Sequence, residues 1–404
     1  MRTVLRPTWI IDGTGSPAFS DHAVSLVEGR IDAVIPIQQL DAREDDRVID
    51  LPGTTLIPGL INNHVHLVLP GDNTPFVPWI DTQSDAALAL RAAYNAQTSL
   101  RAGVTTVRDC GGRGSTVLDL RDAQANGMAS GARVISCSWP LTITGGHTRH
   151  FGGEVDGEDG LRTMVRKVVG LGAEYVKVMA AGGGTPGSLP QYPSFTVAEL
   201  RVIVETAHDL GRMVAAHCIA TASIENAVEA GVDLIEHASF FGPELIPQFD
   251  ARVAEKLARA GIPVTPTLQV NRDLADLLPD GPERARWALR QQAQREIVRA
   301  LRDLGVPILA GSDAGWRATA FDTFWKELDE LVESGFSAAA VIHAATGAVS
   351  RALGSDDRYG TIRPGQIADL VAVAGQVEAN IGCLRDVRRV VQTGNIVFSP
   401  DVPR

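Results

Sequence analysis

Leu56-Ile57-Pro58-Gly59-Leu60-Ile61-Asn62-Asn63-His64-Val65-His66-Leu67 is an apolar run that ends in two histidines spaced two apart. In a β-strand, side chains at that spacing share a face, so His64 and His66 aim two imidazoles at one point. Neutral imidazoles on a rigid edge are a ready ligand pair for a borderline metal such as zinc. Taken alone, the pair is better read as a surface doublet, because short histidine pairs recur by chance. The rest of the chain reverses that weighting.

Outward from this stretch, short apolar runs alternate with helical ones. Strands are expected at 56–61, 105–110, 134–138, 175–179, 214–218, 234–237, 264–268 and 308–310. Helical patterns fall between them, at 85–102, 160–171, 196–210, 223–230 and 284–304. Eight strands alternating with helices over about 300 residues predict an α/β protein built as a (β/α)8 TIM barrel. A doubly wound sheet is the competing architecture, but no GxGxxG opens a first βα turn. The glycine run Gly182-Gly183-Gly184 follows a mid-chain strand and is a weak phosphate signal. The two ends of the chain are different: short, β-rich and broken by turn residues. Residues 1–56 plus 360–404 are therefore expected to form one composite β-sandwich domain, leaving 57–359 as the barrel.

The 404 residues are 45% hydrophobic, enough for a large core, and the net charge of −11 argues against nucleic acid or an anionic membrane as partner. Cys110, Cys137, Cys218 and Cys383 are scattered without a CxxC pair, as expected of free thiols in a reducing compartment. The N-terminal stretch has no apolar core of a leader, and no segment reaches the roughly eighteen apolar residues of a membrane span. A soluble, cytoplasmic protein is the expectation.

In a parallel barrel, chemistry gathers at the C-terminal ends of the strands. Polar side chains stand at several of those ends: His64 and His66, Lys177, His217, His237 and Asp313. Each has an ordinary explanation alone, as a hydrogen-bonded core histidine or a helix cap. Lys177 resists that treatment, because a lone buried ammonium is costly and the chain has only three other lysines, Lys167, Lys256 and Lys326. Five strands with the same unusual placement make coincidence a poor account. His22, His208 and His343 read as structural.

These marks, with Pro58-Gly59-Leu60-Ile61 before the histidine pair, Tyr175-Val176-Lys177-Val178-Met179, Ala216-His217-Cys218, Ile235-Glu236-His237-Ala238, Gly311-Ser312-Asp313-Ala314 and Gly360-Thr361-Ile362-Arg363-Pro364-Gly365 later on, resemble the amidohydrolase superfamily. The similarity is to its branch of prolidase-like and imidazolonepropionase-related, metal-dependent hydrolases, and it covers essentially the whole chain. One departure is Asn62-Asn63, where many relatives carry an acidic residue.

The resemblance implies two divalent metal ions, zinc or alternatively manganese. His64, His66 and Asp313 would hold one and His217 and His237 the other. Lys177 would bridge them as a carbamate derived from carbon dioxide. Burial favours a lysine's neutral amine, the form that attacks carbon dioxide, and the product is an anionic, two-oxygen ligand. Two such metals, about 3.5–4 Å apart, hold a bridging water and lower its pKa. The resulting hydroxide attacks an amide-type carbonyl, with Asp313 as general base and then acid. A Gly-Gly-His segment points to His147 as a contact to the substrate oxygen. Arg149, His150, Tyr192, Trp316 and Arg317 fall on expected top-face loops and are candidates for substrate contact.

The substrate so implied is a small molecule, an N-acyl amino acid or dipeptide-like amide. The alternatives are a neutral carbamate, urea or cyclic amide, or deamination of a heterocycle. A mononuclear deaminase would not need Lys177. A scaffold without metals would have lost ligands, and here all six positions are filled. The resemblance also points to a homo-oligomer.

Overall fold

The computed structural model describes residues 2–41 and 43–400. Both ends of the chain meet in one mixed sheet of eight strands. Across it run Asn395–Phe398, Val387–Gln392, Leu370–Ala374, Arg47–Pro58, Thr3–Ile10, His22–Val27 and Arg30–Pro36, with the short Phe19–Ser20 beside Thr3–Ile10. The long strand Arg47–Pro58 joins the two ends. It pairs in parallel with Thr3–Ile10 and antiparallel with Leu370–Ala374, placing Leu370 opposite Pro58. Beneath it lies a core of its own, in which Leu5, Ile10, Leu26 and Leu56 pack with Ile362, Leu370 and Val391.

The middle of the chain is parallel α/β. Leu60–Val65, Val104–Asp109 and Arg133–Ser136 form one sheet, and Val176–Val178, Val214–Ala220, Leu234–Phe241 and Val264–Thr265 form another. Parallel bridges extend the pairing at their edges. Leu141 meets Val178, Val264 meets Ile308, and Val65 meets Ala314. The expected helices are present as Asp85–Arg101, Glu158–Gly170, Val197–Asp209, Thr221–Ala230 and Pro282–Asp303. Their starts carry local signals. The Ser84 hydroxyl accepts the Ala87 N–H, and Thr196 and Glu199 cap Val197–Asp209 reciprocally.

The expected strand 308–310 is reduced to a single bridge at Ile308, 264–268 is a strand only at Val264–Thr265, and another expected strand is divided. Residues 56–61 are not a single element: the terminal sheet ends at Pro58, and a new strand begins at Leu60. The physical cause is Gly59, where an added Cβ would lie 2.1 Å from the Thr105 hydroxyl. Only glycine leaves room there for the Thr105 side chain. The chain thereby exchanges Leu370 for Val104 as its neighbour, and the strand carrying His64 starts in register with Val104–Asp109. No helix among the described residues is long and apolar enough to cross a membrane.

Candidate metal centre and active site

The ends of the parallel strands surround a cavity of about 280 Å³. His64, His66, His147, Lys177, His217, His237, Asp313, Trp316 and Arg317 all line it. His64 and His66 sit at the end of the first parallel strand. Each has its Nε2 3.4 Å from Asp313 Oδ1, and the three ligand atoms lie within 4.8 Å of one another. Their Nδ1 atoms are held from behind, His64 by Glu236 Oε2 at 2.9 Å and His66 by the Gly111 carbonyl at 3.0 Å. Fixing one ring nitrogen orients the other, as in metal sites whose outer partners set the ligand geometry.

His217 and His237 form a second pair, with ring centroids 4.6 Å apart. His217 Nε2 meets the Gly182 carbonyl at 3.1 Å, and His237 Nδ1 meets the Thr267 hydroxyl at 2.7 Å. Nδ1 of His217 and Nε2 of His237 are left without a hydrogen-bond partner among the described residues. Burial, reinforced by the charge of Lys177, holds His64 and His217 well below the usual histidine range; His237 is lowered in the same way. Burial brings His66 down to about 4. All four rings are neutral at pH 7, the form that ligates a metal.

Two buried polar atoms in this cluster have no hydrogen-bond partner: Lys177 Nζ and Asp313 Oδ1. Burial also pushes the Asp313 carboxyl up to about 7. Groups of this kind are costly to bury unpaired. A bound divalent cation and a carboxylated lysine would satisfy both, so the residues present fit a divalent metal centre.

Under the histidines lies a charged floor that the reading of the sequence missed. Glu236 is fully buried, receives the Arg108 guanidinium, and has Oε1 3.7 Å from Lys177 Nζ. Burial opposes its ionisation, but Arg108, Lys177 and His64 outweigh it and hold the carboxyl well below the usual range. Arg108 in turn donates to the backbone and side-chain oxygens of Asn63 at 2.9 Å and stacks over Tyr175 at 4.7 Å. Asn62 pairs with Ser312, and Asn63 with Thr265, so the two asparagines tie the first strand to neighbouring segments.

Strand alternation would send Glu236 and His237 to opposite faces. His237 instead has φ 69° and Ala238 φ 46°, a left-handed step that brings both adjacent side chains to the His64 side. Asp313, at φ 59°, is held by its N–H donating to the His64 carbonyl at 2.8 Å.

The remaining candidates separate. His147 is buried, with Nδ1 2.9 Å from the Thr185 hydroxyl and its ring 4.8 Å from that of His217. The glycine run packs against it: a Cβ on Gly183 would lie 2.5 Å from His147 and one on Gly184 2.5 Å from Trp316. Close approach of side chains therefore accounts for those glycines without a phosphate. Arg149, His150 and Tyr192 are not among the cavity-lining residues. Arg149 donates to the Pro186 carbonyl at 3.0 Å, His150 faces Asp81 at 2.9 Å, and Tyr192 is about half exposed.

The geometry agrees with what similar proteins are. The profile of the Amidohydrolase family matches residues 55–397. Ochratoxinase of Aspergillus niger is 28% identical, covering 92% of this chain and 81% of that protein. Imidazolonepropionase of Chromobacterium violaceum is 25% identical over 88% of this chain and 86% of its own. A crystal structure of a Xaa-Pro dipeptidase with methionine in its active site superposes with a TM-score of 0.87 at 26% identity, covering 99% of this chain and all of that one. With a family match spanning most of its length, this chain belongs to the amidohydrolase family and is a hydrolase of carbon–nitrogen bonds.

Proposed function

We propose that this protein is a metal-dependent amidohydrolase that cleaves an amide-type C–N bond in an N-acyl amino acid or dipeptide-like substrate. The observation that carries the reading is the convergence of His64, His66, Lys177, His217, His237 and Asp313 on one cavity, with Lys177 Nζ and Asp313 Oδ1 unsatisfied. His64, His66 and Asp313 would hold one divalent cation and His217 and His237 a second. Lys177, carboxylated by carbon dioxide, would bridge them. Zinc is the favoured ion and manganese the alternative, since histidine and carboxylate ligands suit both. Bound there, the cations supply Lewis acidity to a carbonyl and lower the pKa of water.

The chain's own groups do the rest. Asp313, with Oδ1 3.4 Å from Nε2 of both His64 and His66, is the carboxyl placed to take and return a proton. It accepts a proton from the attacking water, whose oxygen bonds to the carbonyl carbon. As the C–N bond breaks, Asp313 hands that proton to the departing amine. His147, oriented by Thr185, donates a hydrogen bond to the carbonyl oxygen as negative charge develops on it. Met179, Ile219 and Leu274 give the cavity an apolar side against which the body of a substrate would pack.

The same reading extends to the architecture and setting. The bridged parallel strands are a (β/α)8 barrel over 57–359, and residues 1–56 with 360–404 are a composite β-sandwich domain. Four free cysteines, three of them buried, suit a cytoplasmic location.

The test is a hydrolysis screen of zinc- or manganese-loaded protein, reading free amine from dipeptides and N-acyl amino acids beside neutral carbamates and ureas. Amine release from the first set is expected. Lys177→Ala should lose bound metal and turnover, and Asp313→Asn should retain more metal yet lose rate. Full activity in either variant would overturn the mechanism.

A further inference from the structure

We infer that Arg290 selects the substrate by binding a carboxylate carried on an apolar or aromatic body. The inference rests on the amide-hydrolase reading for the identity of the cavity, and it adds a residue that no sequence motif marked.

Helix Pro282–Asp303 runs along the cavity. Gln294, buried, donates its side-chain amide to the His237 carbonyl at 3.0 Å, which locks this helix to the strand end that carries a candidate ligand. Arg290 lies four residues earlier, on the same face and about 6 Å along the axis. It lines the cavity beside Trp287. Its guanidinium sits 4.8 Å from the Trp287 ring and 5.2 Å from the Phe241 ring. Its one hydrogen bond is to the Leu245 carbonyl, at 3.2 Å. Among the described residues no carboxylate forms an ion pair with it.

Arg272, on helix Gln269–Leu277, and Arg295, on the same helix as Arg290, do not line the cavity, and both pair with Glu330. Burial, with Arg286 nearby, lowers the Arg290 pKa, so its charge is costly where it stands. A half-buried guanidinium between two aromatic faces, with most donors open, is the chemistry that receives a planar carboxylate. Arg317 also lines the cavity but is exposed, with solvent as its competitor.

Calorimetric titration of the full-length, chelator-treated protein compares N-acetylphenylalanine with its primary carboxamide, a pair that differs in the charge alone. Wild type is expected to bind the acid about tenfold to a hundredfold more tightly, the span of one charge-assisted hydrogen bond. Arg290→Gln should abolish the preference for acid over carboxamide, and Arg290→Lys should keep part of it. Arg284→Gln, on the same helix but paired with Asp280, should match wild type. Equal binding of acid and amide by wild type, no binding of either, or a preference that survives Arg290→Gln and disappears in Arg317→Gln would each overturn the inference. If the preference depends on Arg290 but the metal-loaded enzyme releases no amine from any N-acyl amino acid, the anion site stands and the amide-hydrolase reading fails.

Discussion

Replacing Arg108 by methionine tests whether the charged floor supports the candidate metal site. Arg108 is fully buried and holds four connections at once: the Glu236 carboxylate, two oxygens of Asn63, and the Tyr175 ring. Methionine fills much of the volume but removes the charge. Glu236 then keeps His64 at 2.9 Å, Lys177 at 3.7 Å and the Cys110 thiol at 4.0 Å, and Asn63 loses a donor. Breaking a buried ion pair from one side costs about 3–5 kcal/mol, most of it the penalty of leaving the partner charge uncompensated. Urea unfolding of the metal-free protein at pH 7 should show a loss of that size. The origin of the loss can be separated by a double-mutant cycle with Glu236→Leu. Each single substitution strands a charge and the pair strands neither, so the double variant should be less destabilised than the two singles added together. Because Glu236 also orients His64, metal affinity should fall about 10- to 100-fold in Arg108→Met. A loss below about 1 kcal/mol, or strict additivity in the cycle, would refute the claim that this network is a coupled support.

Two further outcomes follow from other parts of the cavity. Glu327, fully buried, accepts the Gln269 N–H at 2.7 Å, and burial with Glu330 and Asp273 nearby pushes its carboxyl up to about 8 from an ordinary value of 4.5. The folded state therefore keeps a proton that the unfolded chain has lost. Stability is complete below about pH 4.5 and declines as pH rises to about 8, by a few kcal/mol at about 1.4 per pH unit; Glu327→Gln should flatten that slope in urea titrations between pH 5 and 8.5. Gly183→Ala would place a methyl group 2.5 Å from His147. Metal content should then be retained while kcat drops about 10- to 1000-fold, the range for misplacing one oxyanion donor, and unchanged kcat would argue against a role for His147 at the carbonyl.

How far the sequence was legible depended on whether local periodicity survives in the fold. His64, His66, Lys177, His217 and Asp313 stood out because polar side chains interrupt otherwise apolar runs, and all five line one cavity, although the run before Asp313 forms a single bridge rather than a strand. Gly59 was legible only as punctuation. Its role in dividing 56–61 depends on Thr105, some 45 residues away, which no local pattern reports. Glu236 was hidden by alternation itself: beside a ligand histidine it reads as facing outward, and the left-handed backbone at His237 cancels that rule. Arg108 and Glu236 recognise each other across 128 residues, so neither announces the other in sequence. Arg149, His150 and Tyr192 were chosen by their place on loops after strands, and the loop path turns them to Pro186, Asp81 and solvent. Arg290 was passed over for the opposite reason, because it lies on a helix and resembles the surface arginines around it.

That contrast separates two kinds of constraint within one cavity. The candidate ligands come from strand ends and are fixed by backbone pairing, by the Arg108–Glu236 floor and by hydrogen bonds behind each ring. A change in any of these disturbs several neighbours at once. The outer wall is different. It comes from helices Gln269–Leu277 and Pro282–Asp303, and Val270, Asn271, Leu274, Trp287 and Arg290 enter the cavity from helical faces. Their outer faces are tied down by Arg272 and Arg295 on Glu330 and by Asp273 on Lys326, while Gln294 alone bonds a strand end that carries a candidate ligand. Substitutions at Trp287 or Arg290 are therefore expected to alter what the cavity accepts while the candidate ligands stay in place. Relatives at 25–28% identity carry names as different as ochratoxinase, imidazolonepropionase and Xaa-Pro dipeptidase, which is the pattern expected when chemistry and selectivity occupy separate elements. On the inference drawn above, the wall sets selectivity in this chain, and Arg290, which lines the cavity with no ion pair among the described residues, is where the choice of substrate would be made.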